Sequence, residues 1–324
     1  MQGLAMGECR MAEYDIAIIG SGPAGLTAAI YAGRALVKTL VLAGKLSGGQ
    51  LMLTSSIENF PGFSNGIQGP DLMQEMRKQA ERFGAEIIDE DVDSVNFEQR
   101  PFQLLAGGKT HTAKAIIIAT GSSANWLGLP SEKKLRGRGV SSCATCDGYF
   151  FREKRVVVVG GGDTAMEEAI FLTKYATEVV VLHRRDKLRA SKIMQNRAMN
   201  NKKIKFVWNS VVDEILGRDR AEGVKVRNVK TGETSIIPCD GVFVAIGFQP
   251  NTSIFEEQIE LDEKGYVVSK HGTQSSVEGV FVAGDVHDHR YRQAVTAAGE
   301  GCRAAMDTLI YLDEQKEITV SAKE

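Results

Sequence analysis

The chain has 324 residues, a length that suits two compact domains better than one. Hydrophobic residues at 43% and charged residues at 25% are ordinary globular usage, and a formal net charge of -2 supplies no field to gather nucleic acid or an acidic membrane. No run of about 18 apolar residues occurs, so neither a membrane span nor a membrane partner is expected. Residues 1–10 hold no apolar run of signal-peptide length and read as a loose extension or an upstream start, which points to a cytoplasmic protein. The five cysteines, Cys9, Cys143, Cys146, Cys239 and Cys302, are odd in number and scattered, unlike a secreted disulfide framework. Only Cys143 and Cys146 form a close pair, and Cys9, Cys239 and Cys302 have no assigned role.

In chain order, residues 14–19 read as a strand that runs into Gly20-Ser21-Gly22-Pro23-Ala24-Gly25, followed by a helix through Gly33 and a strand at 37–42. That is a βαβ unit. An amphipathic helix near 70–83, an alternating segment at 94–97 and the apolar run 115–119, ending in Thr120-Gly121, complete the first region. The βαβ pattern then recurs: residues 155–159 lead into Gly160-Gly161-Gly162-Asp163-Thr164-Ala165, a helix to about Tyr175 and a strand at 178–182. Strands at 204–208, 223–228 and 241–246 follow, the last ending in Gly247-Phe248-Gln249-Pro250-Asn251, a turn and candidate hinge. Residues 265–324 hold Gly279-Val280-Phe281-Val282-Ala283-Gly284-Asp285 and a last helix from about Gln293 to Leu312, too little for a third core. The expected fold class is therefore α/β with two Rossmann-like dinucleotide-binding domains, one inserted into the other. The expected bounds are 11–122 with 251–324 for the outer domain and 123–250 for the inserted one.

Each glycine set has a physical task. Gly20 permits the tight turn, Gly22 lets backbone approach a pyrophosphate and Gly25 allows close packing of helix on strand, with the helix N-terminus facing the phosphates. Ala43-Gly44 stands where an acid would bind a ribose hydroxyl, so that ribose is recognised in another way. The second unit instead ends its second strand in His183-Arg184-Arg185, with Arg189 close behind. Guanidinium groups there suit the 2′-phosphate of NADPH; a solvated basic surface is the plain alternative. His183 by itself reads more often as a packing or surface residue.

Cys143-Ala144-Thr145-Cys146 follows Ser141-Ser142, expected to cap a short helix whose start would lower a thiol pKa. A zinc site needs two further ligands, and only the weak pair His287 and His289 offers itself. A structural disulfide closing so small a loop adds little stability. Redox chemistry is the favoured reading, with Asp147 either a proton carrier or an exposed helix-start carboxylate.

These residues together resemble the low-molecular-weight thioredoxin reductases over residues 13–313. The resemblance rests on Cys143-Ala144-Thr145-Cys146-Asp147 immediately before the second nucleotide unit, on both glycine sets, and on Gly48-Gly49-Gln50-Leu51, Glu58-Asn59-Phe60-Pro61-Gly62, Val244-Ala245-Ile246-Gly247, Gly284-Asp285 and Arg292-Gln293-Ala294. It implies a homodimer that binds FAD through the outer domain and NADPH through the inserted one. Gly20, Ser21, Gly22, Pro23, Ala24, Gln50, Asn59, Gly121, Asp285, Arg292, Gln293 and Ala294 would line the FAD site, Asp285 holding its ribityl or phosphate part. Gly160, Gly162, Asp163, Thr164, His183, Arg184, Arg185 and Arg189 would line the NADPH site, with Asp163 standing where relatives frequently carry asparagine. Cys146 would face the flavin, Cys143 would attack oxidised thioredoxin or a related CxxC protein, and Asp147 would be the acid-base residue. Because dithiol and nicotinamide would share the inserted domain, a domain rotation would let each reach the flavin in turn. Two other readings are a relative fed by ferredoxin or small dithiols, which the three arginines disfavour, and a dinucleotide-binding redox sensor without turnover.

Overall fold

The computed structural model describes residues 13–54 and 56–321, so the expectations for residues 1–10 and Cys9 lie outside the described residues. The chain divides into two compact units, Met1–Ser123 with Pro250–Glu324, and Ala124–Gln249. In the first unit the return of the chain is fixed by Asn251. Its Nδ2 donates to the Thr120 carbonyl and its own carbonyl accepts from Thr120 Oγ1, both at 2.8 Å. In the second unit the corresponding crossing is closed by Asn125 N–H on the Gly247 carbonyl at 2.9 Å.

The first unit is built on β1 (Tyr14–Ile19), α1 (Pro23–Arg34) and β2 (Thr39–Leu42). Its sheet runs Glu86–Ile88, β2, β1, Lys109–Ile118, Phe102–Ala106 and Val92–Asn96, with the late strand Val280–Val282 also paired to Lys109–Ile118. Lys109–Ile118 explains the mixture. Its first half alternates exposed and buried residues and pairs antiparallel with Phe102–Ala106; its second half is buried throughout and lies parallel between β1 and the late strand. The change from alternating to continuous burial is the change from a sheet wetted on one face to one covered on both. α1 and the last helix, Ala294–Ser321, pack on one face against Ile16, Ile18 and Ile117, and Phe255, Ile259 and Val286 pack on the other against Ile19, Ile116 and Ile118. Sequence periodicity ends that helix near Leu312, where its apolar pattern stops; the polar continuation is held by Lys316 on Asp313 at 2.8 Å.

The second unit carries a parallel five-stranded sheet in the order Val140–Ser141, Gly241–Val244, Arg155–Val159, Glu178–Leu182, Ile204–Val207. A three-stranded antiparallel meander, Ser210–Leu216, Gly223–Asn228 and Thr234–Pro238, accompanies it. The helix Asp163–Leu172 stops short of Tyr175, and its last carbonyls, Ile170, Phe171 and Leu172, accept from the N–H groups of Thr173, Lys174 and Tyr175 in a tighter closing turn. Among the described residues no helix is long and apolar enough to cross a membrane.

Small residues let α1 meet the last helix backbone to backbone. Ala24, Ala28, Ala29 and Ala32 are buried on α1, and a Cβ added at Gly301 would lie 2.0 Å from the Ala24 carbonyl oxygen. Gly301→Ala is expected to cost about 1–3 kcal/mol through overpacking. At Gly299, two positions earlier on the same helix, an added Cβ meets nothing within 4 Å, so Gly299→Ala is expected to gain up to about 1 kcal/mol in helix propensity. Thermal unfolding of the two variants should move in opposite directions; a shared sign would refute the packing account.

Candidate functional site

Gly20 adopts φ +109°, and a Cβ there would meet the Ala119 carbonyl oxygen at 2.3 Å, so the turn between β1 and α1 admits only glycine. Gly22 is the N-cap of α1 and makes no side-chain cap, Pro23 opens the helix, and the space beside Gly22 is open. Ser21 is turned away: its buried hydroxyl donates to Ala43 O at 2.8 Å and accepts from Gly48 N–H at 2.9 Å. This brings the Gly48-Gly49 turn against the first, where a Cβ at Gly49 would lie 3.5 Å from Gly22 Cα. Gln50 follows on the short helix Gly49–Leu53 and is exposed. Asn59 Nδ2 donates to Gln293 Oε1 at 3.3 Å, joining the 58–62 loop to the residue before Ala294. Gly121, at φ +67°, has open space where a side chain would project.

Asp285 follows Gly284, whose Cβ position is 3.0 Å from Ala24 Cβ on the first turn of α1. Burial pushes the Asp285 carboxyl up to about 7, with the Arg292 guanidinium working against it. An uncapped helix N-terminus and a buried carboxyl therefore share one end of the sheet. The first suits an anion, the second hydroxyl donors. Glu300 also belongs here and no sequence motif pointed to it: Gly284 N–H and His287 both bond its carboxylate. His289 packs its ring on Tyr266 at 5.3 Å. Among the described residues no group of three or more His, Cys, Asp or Glu is arranged to hold a metal.

In the second unit Gly162 is the N-cap of Asp163–Leu172, again without a side-chain cap, and Thr164 lies on its first turn. A Cβ at Gly160 would meet the Ala245 carbonyl oxygen at 2.3 Å; one at Gly161 would meet the His183 ring at 2.2 Å. His183 is buried beneath this turn, Nε2 3.0 Å from the Lys187 carbonyl oxygen, and burial lowers its pKa. The Gly161 carbonyl accepts from Arg189 N–H at 2.7 Å and Ala190 N–H at 3.1 Å, while Asp163 Oδ1 accepts from Ser191 N–H at 2.8 Å. These bonds fold the basic segment onto the glycine turn and leave the side chains of Arg184, Arg185 and Arg189 exposed.

Cys143 and Cys146 are joined by a disulfide, Cα atoms 5.3 Å apart. Ser141-Ser142 does not supply the helix cap. Cys143 does, its Sγ accepting Cys146 N–H at 3.2 Å at the start of Ala144–Asp147, while Ser141 Oγ accepts Cys143 N–H at 3.0 Å. Thr145 Oγ1 lies 3.3 Å from Cys143 Sγ. Asp147 is held above the ordinary carboxylate range by burial, against a hydrogen bond with Ser141 that lowers it. The free Cys239 is inert by comparison: burial pushes its thiol up to about 12. Cys302, also free, lies 4.0 Å from the Met306 sulfur.

Two uncapped glycine turns in separate units, with a redox-type Cys pair in one of them, define a disulfide oxidoreductase built on two dinucleotide folds. Residues 14–301 match the family described as pyridine nucleotide-disulphide oxidoreductase. The chain is 51% identical over 304 residues to a thioredoxin reductase of Rickettsia conorii, spanning 92% of this chain and 98% of that one. A thioredoxin reductase of Streptomyces coelicolor is 54% identical over 309 residues, spanning 93% and 96%. Solved structures give the same result: thioredoxin reductase from Giardia duodenalis superposes with a TM-score of 0.89 at 45% identity, covering 94% of this chain and 100% of that one. The enzyme from Streptococcus pyogenes gives 0.89 at 42% identity, covering 93% and 98%. The chain belongs to the pyridine nucleotide-disulphide oxidoreductase family, in its low-molecular-weight thioredoxin reductase branch.

Because burial raises the Asp147 pKa, the folded chain binds that proton more tightly than the unfolded chain does. The resulting stability is complete below the unfolded pKa of about 4 and is lost as pH rises through the raised folded value. Asp147→Asn escapes that loss. Its thermal midpoint is expected to exceed that of the unmodified protein near neutral and alkaline pH, the gap closing as pH falls toward about 4. Melts across pH check this, and a gap independent of pH would show that Asp147 does not titrate high.

Proposed function

We propose that the chain is an NADPH-dependent, FAD-containing thioredoxin-disulfide reductase that works as a cytoplasmic homodimer. In this reading residues 11–122 with 251–324 hold FAD, and residues 123–250 hold NADPH and carry the dithiol. The observation that carries it is the Cys143–Cys146 disulfide at the N-cap of a short helix, in the same unit as a glycine turn edged by three exposed arginines. FAD fits the first unit: the open space at Gly22 and the uncapped start of α1 suit a pyrophosphate, and the buried Asp285 suits ribityl hydroxyls better than phosphate, which a carboxylate repels. NADPH fits the second, since backbone bonds fold the segment while the side chains of Arg184, Arg185 and Arg189 stay exposed and can meet a 2′-phosphate. Exposed Tyr31, Val295, Met306 and Ile310 on the first unit support pairing with a second copy.

FAD held by the first unit would supply the two-electron chemistry that couples hydride from NADPH to reduction of the disulfide. The chain's own part is thiol chemistry. The Cys143–Cys146 bond takes up two electrons and two protons and becomes a dithiol. Cys143, as thiolate, attacks one sulfur of oxidised thioredoxin or a related CxxC protein; the S–S bond of the partner breaks and its other sulfur leaves as a thiolate that takes a proton. Cys146 then attacks Cys143 in the mixed disulfide, restoring the original bond and releasing the partner as a dithiol. Cys146 is the more exposed of the two and Cys143 is half-buried. Ionisation decides the role, and the donors at Cys143 favour its thiolate. Asp147, protonated to a higher pH than an ordinary carboxyl and next to Cys146 in the chain, is the residue proposed to supply or take the proton at the pair.

The purified protein should be yellow and should oxidise NADPH when given oxidised thioredoxin; no flavin after gentle purification, with no activity gained on adding FAD, would contradict the reading. Cys143→Ser and Cys146→Ser should each abolish thioredoxin reduction while NADPH still bleaches the flavin. Normal turnover in either variant would remove the dithiol from the mechanism.

Nucleotide choice gives a separate check. Replacing Arg184 and Arg185 by Ala together should reduce the preference of kcat/KM for NADPH over NADH by roughly 10² to 10³-fold, because each charge-assisted bond is worth about 1.5–3 kcal/mol. Equal use of both nucleotides by the unmodified protein would contradict the assignment.

A further inference from the structure

Glu300 and His287 take no part in the mechanism above, yet they meet directly behind Asp285. A single carboxylate oxygen, Glu300 Oε2, accepts from Gly284 N–H at 2.7 Å and from His287 Nε2 at 2.9 Å. Both side chains are only 16% exposed, so water competes poorly for these bonds. Gly284 is buried and adopts φ +79° against the first turn of α1. Its carbonyl accepts from His287 N–H and Asp288 N–H, both at 3.1 Å, which closes the turn on itself. Asp285 is thus flanked by Gly284 and His287, both tied to one oxygen on the last helix.

We propose that Glu300 and His287 are positioning residues for Asp285, a clamp that locks the Gly284–His287 turn to the last helix and so presents the Asp285 carboxyl to the hydroxyl groups of bound FAD. The proposal rests on the FAD reading of the first unit. The clamp residues also set the charge around Asp285, Glu300 favouring its acid form and His287 its carboxylate. Removing Glu300 would leave the Gly284 N–H buried without its acceptor and would free the turn. A bond of purely structural worth stabilises the flavin-free and flavin-bound protein equally. A positioning bond adds to the affinity for FAD.

The test compares the unmodified full chain with Glu300→Ala, Glu300→Gln and His287→Asn, each stripped of flavin and titrated with FAD. The dissociation constant is read from flavin fluorescence, and the FAD-induced rise in thermal midpoint is read beside it. Glu300→Ala is expected to weaken FAD binding by about tenfold or more and to shrink the FAD-induced rise. Glu300→Gln, which keeps an acceptor for Gly284 N–H, is expected to recover most of the affinity; His287→Asn is expected to fall between. If Glu300→Ala does not fold, an unchanged dissociation constant in both milder variants overturns the clamp. So does a lower flavin-free midpoint in Glu300→Ala with the FAD-induced rise intact. Failure of the unmodified chain to bind FAD would overturn the underlying reading itself, an outcome distinct from normal binding by the variants.

Discussion

Both glycine turns depend on backbone meeting backbone with no Cβ between them. At Gly20 and at Gly160 the carbonyl of a neighbouring strand end, Ala119 or Ala245, occupies the place a side chain would take. That contact brings the start of α1, and of Asp163–Leu172, directly over the C-terminal end of its sheet, where the first helical N–H groups face outward. The rest follows from that placement: Ser21 pins the Gly48-Gly49 turn beside the first site, and His183 underpins the second.

Around these turns the chain keeps two carboxyls in surroundings that favour their neutral form, one in each unit. Asp285 and Asp147 are both raised by burial, but their neighbours differ. Asp285 has Arg292 and His287 to favour its charge and Glu300 and Asp288 to oppose it, a balanced set suited to a carboxyl that accepts hydroxyl hydrogen bonds. Asp147 has mainly the Ser141 hydroxyl, and it neighbours a pair that must gain and lose protons. Cys143 draws its hydrogen bonds from its own short helix and from Thr145, within a few residues of chain. At Cys239 burial outweighs the backbone hydrogen bond from Gly241 and pushes the thiol up.

Features that depend on local sterics were legible in the amino-acid order. Gly20-Ser21-Gly22-Pro23 and Gly160-Gly161-Gly162 announce their turns because φ and the absence of a Cβ are properties of one or two residues. The CxxC helix and the parallel strands, with their unbroken apolar runs, were equally visible, and the family they resemble is the one the comparisons show. The antiparallel strands Phe102–Ala106, Ser210–Leu216 and Thr234–Pro238 were not, because their residues do not alternate strictly between apolar and polar, and Thr234–Pro238 is largely exposed. The helix cap falls just past the expected Ser141-Ser142 because Ser, the commoner capping type, stands next to a cysteine whose sulfur takes the bond instead.

Where each side chain points was decided only by the tertiary structure. Ser21 reads as part of a nucleotide turn, but its hydroxyl is committed to Ala43 and Gly48, which lie on other elements. His183 stands in the chain beside arginines that read as a phosphate site, but the approach of Gly161 buries it beneath the loop. Glu300 carries no motif at all; its role exists because the last helix packs on α1 through Gly301 and so reaches Gly284 and His287. A backbone turn is set by the residues that form it, and the amino-acid sequence by itself determined both nucleotide turns and the cysteine pair. A side-chain hydrogen bond is set by whichever distant partner the packed helices and sheets bring within about 3 Å, so the clamp on Asp285 and the burial of His183 were decided by the fold.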